Sequence, residues 1–148
     1  MIEHLLMDPA KVLREIKRIL KPNGQLILTT PNVSRLENVA RMLSGTNIYD
    51  PYSGYGPYGQ HNREYNKHEL NLLLNYVGFN LQVMFSADVH DNNAAQFFDL
   101  TILQDELNYR QYDLGQYIFL SATNEGVDRG KKPAWLYRSY LSDEVDDA

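Results

Sequence analysis

The sequence predicts an α/β fold, a small sheet flanked by helices, and three observations carry the prediction. A helical segment from Pro9 to Leu20 leads into a strand-sized apolar run, Gln25-Leu26-Ile27-Leu28-Thr29-Thr30. A second helix-to-strand unit spans residues 66–86, where leucines at helical spacing give way to strict alternation. A third apolar run, Gly115 to Ala122 with Tyr117-Ile118-Phe119-Leu120 at its centre, supplies another strand for the sheet core. Periodicity that switches from helical to alternating along the chain is the pattern of layered α/β domains.

Each element has a local cause. The chain opens abruptly at Met1-Ile2-Glu3-His4-Leu5, as if inside a motif. Asp8-Pro9 starts the first helix, because Asp accepts from free N–H groups and Pro fits the first helical position. Val12, Leu13, Ile16, Ile19 and Leu20 form its apolar stripe, and Lys11, Arg14, Lys17, Arg18 and Lys21 read as a solvated basic face. Pro22-Asn23-Gly24 ends it. The strand that follows is apolar on both faces, as in a sheet covered by helices, and Pro31 stops it. A short helix through Leu36, Val39, Ala40 and Leu43 comes next. Residues 46–62 carry Tyr49, Tyr52, Tyr55 and Tyr58 at a spacing of three among Pro51, Gly54, Gly56, Pro57 and Gly59. Turn residues at that density forbid a regular element, and a loop of that length in a compact domain is functional or disordered.

Asn66 and Glu69 make a capping-box start for a helix with Leu70, Leu73, Leu74 and Val77 inside, and Gly78 ends it. Phe79, Leu81, Val83 and Phe85 then alternate with polar neighbours, which predicts a strand with one well-buried face. Residues 93–110 lean towards helix. Gly126 to Pro133 is linker-like, Ala134-Trp135-Leu136-Tyr137 can dock, and Asp143 to Ala148 is an acidic tail expected to fray. The predicted organisation is one domain portion over residues 1–124 and a linker with partly docked tail over 125–148.

Composition narrows the function classes. The chain has 148 residues, a net charge of -5 and no cysteine. That length suits one domain. Absent cysteine removes disulfides and thiol chemistry and fits a reducing cytoplasm, the expected location. The acidic balance argues against nucleic-acid partners. No apolar run approaches the ~20 residues of a membrane span, and no secretory leader opens the chain, so no membrane partner is expected.

Several motifs carry candidate chemistry. Gly54-Tyr55-Gly56-Pro57-Tyr58-Gly59 is a literal G-x-G-x-x-G, but a phosphate cradle needs a strand before it and a helix N-terminus after it. Here turn residues lie on both sides and Pro57 removes an amide donor, so a tyrosine-rich loop is the better reading. Asp88, His90 and Asp91 are within reach of a common metal, yet such ligands on one loop more often face solvent, and no metal is expected. His61-Asn62-Arg63-Glu64-Tyr65 is dense in polar function just before a helix. It reads either as a capping segment, with Glu64 and Asn66 as caps and Arg63 paired to a carboxylate, or as a loop that contacts a polar substrate.

Taken in order, the motifs resemble a known family. Ile2-Glu3-His4-Leu5, Asp8-Pro9, Leu13-Arg14-Glu15-Ile16-Lys17-Arg18-Ile19-Leu20-Lys21-Pro22-Asn23-Gly24 and Leu26-Ile27-Leu28-Thr29-Thr30-Pro31-Asn32 look like the class I S-adenosylmethionine-dependent methyltransferases. They correspond there to the end of strand four, the next helix and strand five. His61-x-Arg63-Glu64-Tyr65, then Glu69-Leu70 and Gly78-Phe79, resembles the family's entry into its next helix and strand six. Beyond Phe85 the likeness is weaker, though Gly115 to Ala122 fits the last, antiparallel strand.

The resemblance implies a partial Rossmann-like sheet, with strands equivalent to five, seven and six, the last pair antiparallel. It implies S-adenosylmethionine as methyl donor and a small-molecule acceptor. It also implies that the chain is the C-terminal, substrate-side half of the domain, since the family's glycine-rich cofactor loop and ribose-binding acid precede the Glu3-His4-Leu5 motif. No cofactor-binding residue is then identified, and neither cofactor binding nor activity is expected of this chain alone. By resemblance Glu3 and His4 are the catalytic candidates, His4 as a base, with Thr30, Pro31 and Asn32 lining the ligand crevice. Asn32, Tyr58, His61, Arg63 and Tyr65 are the expected acceptor contacts, and the Tyr49–Tyr65 segment a lid or substrate loop. The acceptor's class stays open among sugars, polyketides, quinones and peptides. Strand five is expected to present a bare edge, to be covered by a second copy near Gln25 to Thr30, by residues 1–7, or by a separate N-terminal half. The alternative function is a non-catalytic remnant or interaction module that dimerises through that edge.

Overall fold

A computed structural model describes residues 2–137 and 144–146, except for the side chains of Tyr58 and of 144–146. The chain forms two compact units, each assembled from separated segments. The first comprises Met1–His4, Thr29–Asn66 and Phe85–Phe119; the second comprises Leu5–Leu28, Lys67–Met84 and Leu120–Ala148.

Three strands, β1 (Gln25–Pro31), β2 (Asn80–Ala87) and β3 (Tyr117–Thr123), make one antiparallel sheet in the order β1-β3-β2. In the second unit the Asn23 amide donates to Asn124 O at 3.1 Å and the Asn124 amide to Gly24 O at 2.9 Å. In the first unit the Asn32 amide donates to Gln116 O at 2.9 Å. From Asn23–Asn124 to Asn32–Gln116 one residue number rises as the other falls, the mark of an antiparallel pair. An α/β architecture with flanking helices is therefore present, as the sequence pattern requires.

Two strand expectations need correction. β1 is not buried on both faces: Leu26, Leu28 and Thr30 are buried, whereas Gln25, Ile27 and Thr29 are exposed, with Ile27 72% accessible. Its apolar run marks a strand for which only one face is covered among the described residues. β2 likewise lacks a well-buried face, since Val83 and Phe85 are each 49% exposed, although Phe79 just before it is buried.

In the second unit, α1 (Pro9–Ile19) starts where expected, with Asp8 Oδ1 accepting from the Ala10 amide at 2.9 Å and Pro9 in the first turn. It packs on α3 (Lys67–Val77), which buries Leu70, Leu73, Leu74, Tyr76 and Val77. Ile19, placed in the α1 stripe by spacing, is 70% exposed. The basic face of α1 is not simply solvated. Arg14 grips Asp128 through Nε at 2.7 Å and Nη2 at 3.2 Å. Lys17 Nζ donates to Gly78 O at 2.7 Å, to Gly126 O at 2.9 Å and to Asn124 Oδ1. The Asn124 side-chain Nδ2 in turn caps the end of α1, donating to Lys17 O at 3.1 Å and Leu20 O at 3.0 Å. Free carbonyls at helix C-termini need such donors. Gly78 ends α3 with φ +88°, where a Cβ would lie 2.5 Å from Val127 C.

Residues 131–133 and 144–146, where the sequence suggests linker and tail, pair as antiparallel strands β4 (Lys131–Pro133) and β5 (Glu144–Asp146), with Lys132 opposite Val145. A helical turn, Ala134–Tyr137, follows β4. Asp8 receives Lys132 Nζ at 2.7 Å and the Tyr137 hydroxyl.

In the first unit, α2 (Leu36–Leu43) buries Asn38 and Ala40 and contacts the short 3-10 turn Ala94–Gln96. The Arg41 guanidinium lies 4.3 Å from the Phe97 ring centre, a cation–π contact. Residues 93–110 hold two 3-10 turns and α4 (Gln104–Tyr109) rather than one helix. The tyrosine- and glycine-rich loop contains one short turn, Gly56–Gly59. No helix among the described residues is long and apolar enough to cross a membrane.

Candidate functional site

The first unit brings together two segments 57 residues apart in sequence, Glu3-His4 and His61-Asn62-Arg63-Glu64. Residues Ile2–His4 form a 3-10 turn whose Glu3 carbonyl accepts the Asn62 amide at 2.7 Å and the Arg63 amide at 3.2 Å. Asn62 Nδ2 then donates to His4 O at 3.0 Å and to Pro57 O at 2.9 Å. Asn62 is thus the buckle between the chain's first turn and the tyrosine-rich loop.

Glu3 is buried, and Thr30 at the end of β1 donates its hydroxyl to Glu3 Oε2 at 3.0 Å. Burial pushes the Glu3 carboxyl up, but the hydrogen bonds it accepts, that of Thr30 among them, outweigh burial and hold it below the ordinary glutamate value. Its other oxygen, Oε1, lies 3.6 Å from His4 Nε2. His4 Nδ1 meets Gln60 O at 3.0 Å. A carbonyl only accepts, so that contact fixes the proton on Nδ1 and, in the neutral ring, leaves the lone pair on Nε2. The His4 and His61 rings stand edge to face, 4.9 Å between centres.

His61 is held on its Nδ1 side by Glu64 Oε1 at 2.9 Å and Asp50 Oδ2 at 3.2 Å. Asp50 Oδ2 also accepts the His61 amide at 3.2 Å, which ties down the loop. Glu64 is paired a second time, through Oε2 with Arg35 Nη1, and Arg35 donates to Asn32 O at 3.0 Å. Glu64 is therefore an orienting acid for His61, a partnership the capping reading of this segment does not contain.

The other sequence-predicted contacts fall into two kinds. Arg63 is exposed, its guanidinium 5.6 Å from the Tyr65 ring centre. Tyr65 is 2% exposed and its backbone bridges in parallel to Asn32. Asn32 is fully buried, and its amide is spent on the fold: Nδ2 donates to Asp113 O at 2.7 Å and Gly115 O at 2.8 Å, and Oδ1 accepts from the Ser34 amide at 3.1 Å. Tyr58 sits on the Gly56–Gly59 turn, and its side chain lies outside the described residues. Asp88 is also committed locally, accepting the Gln116 amide at 2.9 Å. Among the described residues Asp88, His90 and Asp91 do not converge; the groups that do are Glu3, His4 and His61, and Asp50, His61 and Glu64, the ligand atoms of each within 4.8 Å of one another. No local pattern announces them, since their members come from separate segments.

A second feature of the same unit is a cavity of about 600 Å³. It is lined by Leu36, Ala94, Leu100, Leu107 and Leu114, with Asp88, Asn92 and Gln104 as polar members. It reaches Leu114 and Gly115, next to the carbonyls that Asn32 holds. An apolar cavity with a few polar groups is the usual form of a small-molecule site.

The sequence model of a family described as a methyltransferase domain matches residues 1–82, more than half of the 148 residues. No curated protein matches the sequence.

Proposed function

This chain belongs to the methyltransferase domain family, and from that premise we propose that it serves methyl transfer from S-adenosylmethionine to a small-molecule acceptor, supplying the acceptor side of the site. The observation that carries the proposal is the stitching of Glu3-His4 to His61–Glu64 beside Thr30, at the end of β1. In open α/β sheets ligands bind beyond the carboxyl ends of the strands.

The methyl donor's cradle is a separate matter. Among the described residues no strand runs through a glycine-rich turn into a helix. Gly54, Gly56 and Gly59 surround a four-residue 3-10 turn that follows irregular chain. These residues do not fit the donor's methionine end.

What the chain's own groups do follows from their geometry. Methyl transfer depends chiefly on holding the acceptor in line, with a base to take its proton where needed. In this reading His61 and Arg63 contact the acceptor's polar groups, since both stand on the loop rather than in the core. His4 Nε2 is the proton-handling atom, its Nδ1 being fixed by Gln60 O. Asn32 and Tyr65 position the strand end, and the cavity lined by Leu36 and Leu114 takes the apolar body of the acceptor. The catalytic portion is residues 1–124. In calorimetric titration of the 148-residue chain with a panel of hydroxylated small molecules, His61→Ala and Arg63→Ala each weaken acceptor binding. Acceptor affinity equal in wild type and both variants refutes the assignment.

A second reading, an association module, is favoured by one observation: β1 ends one side of the sheet and Ile27 on it is 72% exposed. Two copies joined through β1 satisfy both edges at once. Calorimetric titration of the 148-residue chain with hydroxylated acceptors, beside sedimentation velocity, separates the readings. Saturable acceptor binding that His61→Ala weakens supports the acceptor side of an enzyme, and a dimer without such binding supports the module.

A further inference from the structure

We propose that the cavity of about 600 Å³ in the first unit binds a small organic cation, a protonated amine on an apolar body, with Asp88 and Asp99 as its charge partners. The volume lies within the ~300–1,000 Å³ of small-molecule sites. Every residue that lines it belongs to that one unit. Leu36, Ala94, Leu100, Leu107 and Leu114, all buried or half-buried, supply the apolar wall. The lining holds Asp88 and Asp99 but no Lys, Arg or His, so its formal charge is negative only.

The hydrogen bonds of the lining point the same way. Its hydroxyls are spent as donors, Ser86 on Tyr112 O at 2.8 Å and Thr101 on Asp99 Oδ1 at 2.6 Å. Gln104 spends an amide hydrogen on Asn108 Oδ1 at 3.0 Å. The acceptors are less committed. Asp99 Oδ1 takes the Thr101 hydroxyl and, at 3.0 Å, the Thr101 amide, while Oδ2 accepts no hydrogen bond among the described residues. Those two bonds hold the Asp99 carboxyl below the ordinary aspartate value, so it is an anion at neutral pH. Asp88 gives Oδ1 to the Gln116 amide at 2.9 Å, and its Oδ2 has only Asn92 Nδ2 at 3.5 Å, beyond the usual hydrogen-bond range. A cavity short of donors, with two carboxylates incompletely used, favours a ligand that brings both hydrogens and positive charge. A carboxylate or phosphate would meet like charge there, with no cation in the lining to offset it.

In a use that rests on the methyl-transfer reading, this ligand is the acceptor, and its class narrows to a hydroxylated amine. A protonated amine has no lone pair, so the nitrogen held by the aspartates anchors the molecule and a hydroxyl elsewhere on it is left for the reaction. Both aspartates are exposed, and solvent screening limits what each adds to a few-fold in affinity.

Calorimetric titration of the 148-residue chain at neutral pH with tyramine, para-ethylphenol and para-hydroxyphenylpropanoate tests the site, since these phenols carry a cation, no charge and an anion. Tyramine binds roughly 5-fold or more tighter than para-ethylphenol, and the propanoate binds weakest. The double variant Asp88→Asn/Asp99→Asn removes the preference and leaves para-ethylphenol binding unchanged. Asparagine still accepts the Gln116 and Thr101 amides, so the local structure at both positions survives. Gln104→Lys, at an exposed lining position, moves the preference towards the propanoate. Tyramine no tighter than para-ethylphenol, or a preference that persists in the double variant, overturns the proposal. A preference lost in the double variant, with tyramine affinity untouched by His61→Ala and Arg63→Ala, sustains the amine site and counts against the methyl-transfer reading instead.

Discussion

Replacing Asn32 by alanine separates a scaffold role from an acceptor role, and Asn38→Ala, the same chemical change in the same unit, is its control. Both side chains are at most 1% exposed. Asn32 makes three hydrogen bonds, two to the carbonyls of Asp113 and Gly115 and one from the Ser34 amide. Truncation orphans two carbonyls and an N–H, each costing about 1–3 kcal/mol where water cannot reach. Partial access brings the sum to about 3 kcal/mol. Asn38 makes one such bond, to Val33 O at 2.9 Å, while its Oδ1 is buried without a partner among the described residues. Removing it orphans one carbonyl but abolishes an unpaired acceptor of similar cost, so the net change is within about 1 kcal/mol. Urea unfolding measures the difference. At a slope of about 2 kcal/mol per molar, Asn32→Ala lowers the midpoint by roughly 1 M more than Asn38→Ala does. Equal midpoints for the two variants, with acceptor affinity lowered only in Asn32→Ala, would refute the scaffold assignment and return Asn32 to the acceptor.

The remaining predictions concern the second unit and the sheet. Gly78→Ala is destabilising by more than ~2 kcal/mol, since it combines a left-handed φ with a Cβ 2.5 Å from Val127 C; Gly45→Ala, at φ +78° with open space around it, costs only about 1 kcal/mol, and thermal melts of the pair show the gap. The carboxyls of Asp8 and Asp128 are raised by burial but lowered further by their partners, Lys132 and Tyr137 for Asp8 and Arg14 for Asp128. Their folded pKa values lie below that of the unfolded chain, about 3.9, so their stabilisation is complete well above it and drains away as the pH falls through it towards the folded values. Asp128→Asn should flatten that acid limb of a stability–pH curve, and an unchanged limb contradicts the assignment. Ile27→Lys leaves monomer stability within about 0.5 kcal/mol, because the side chain is already exposed. In sedimentation velocity it dissociates a dimer joined across β1; a dimer that persists places the interface elsewhere.

Much of the fold was legible because its signals are local. Asp8-Pro9 marks the start of α1, the spacing of Leu70, Leu73, Leu74 and Val77 marks the inner face of α3, and Gly78 its end. These features depend on backbone chemistry within a turn or two, which sequence spacing reports directly. Exposure was not legible in the same way. The run Leu26-Ile27-Leu28 reads as buried on both faces, but whether a second layer covers Ile27 depends on what packs there, and one strand carries no record of that. Arg14 and Lys17 look like members of a solvated stripe, yet Asp128, Gly78, Asn124 and Gly126 reach them from distant segments.

The candidate site divides along the same line. By itself the sequence determined the family, through the ordered motifs from Ile2-Glu3-His4-Leu5 to Pro31-Asn32, and it marked His61–Tyr65 as dense in polar function. Only the tertiary structure decided that Glu3, His4 and His61 converge, that Glu64 and Asp50 orient His61, and that the Asn32 amide is spent on the backbone. The reason is physical. Which residues form a helix or strand is settled over a few bonds, whereas donors that meet at one point must first be brought together by closing a loop of more than fifty residues. Only the packing of the whole unit fixes that closure.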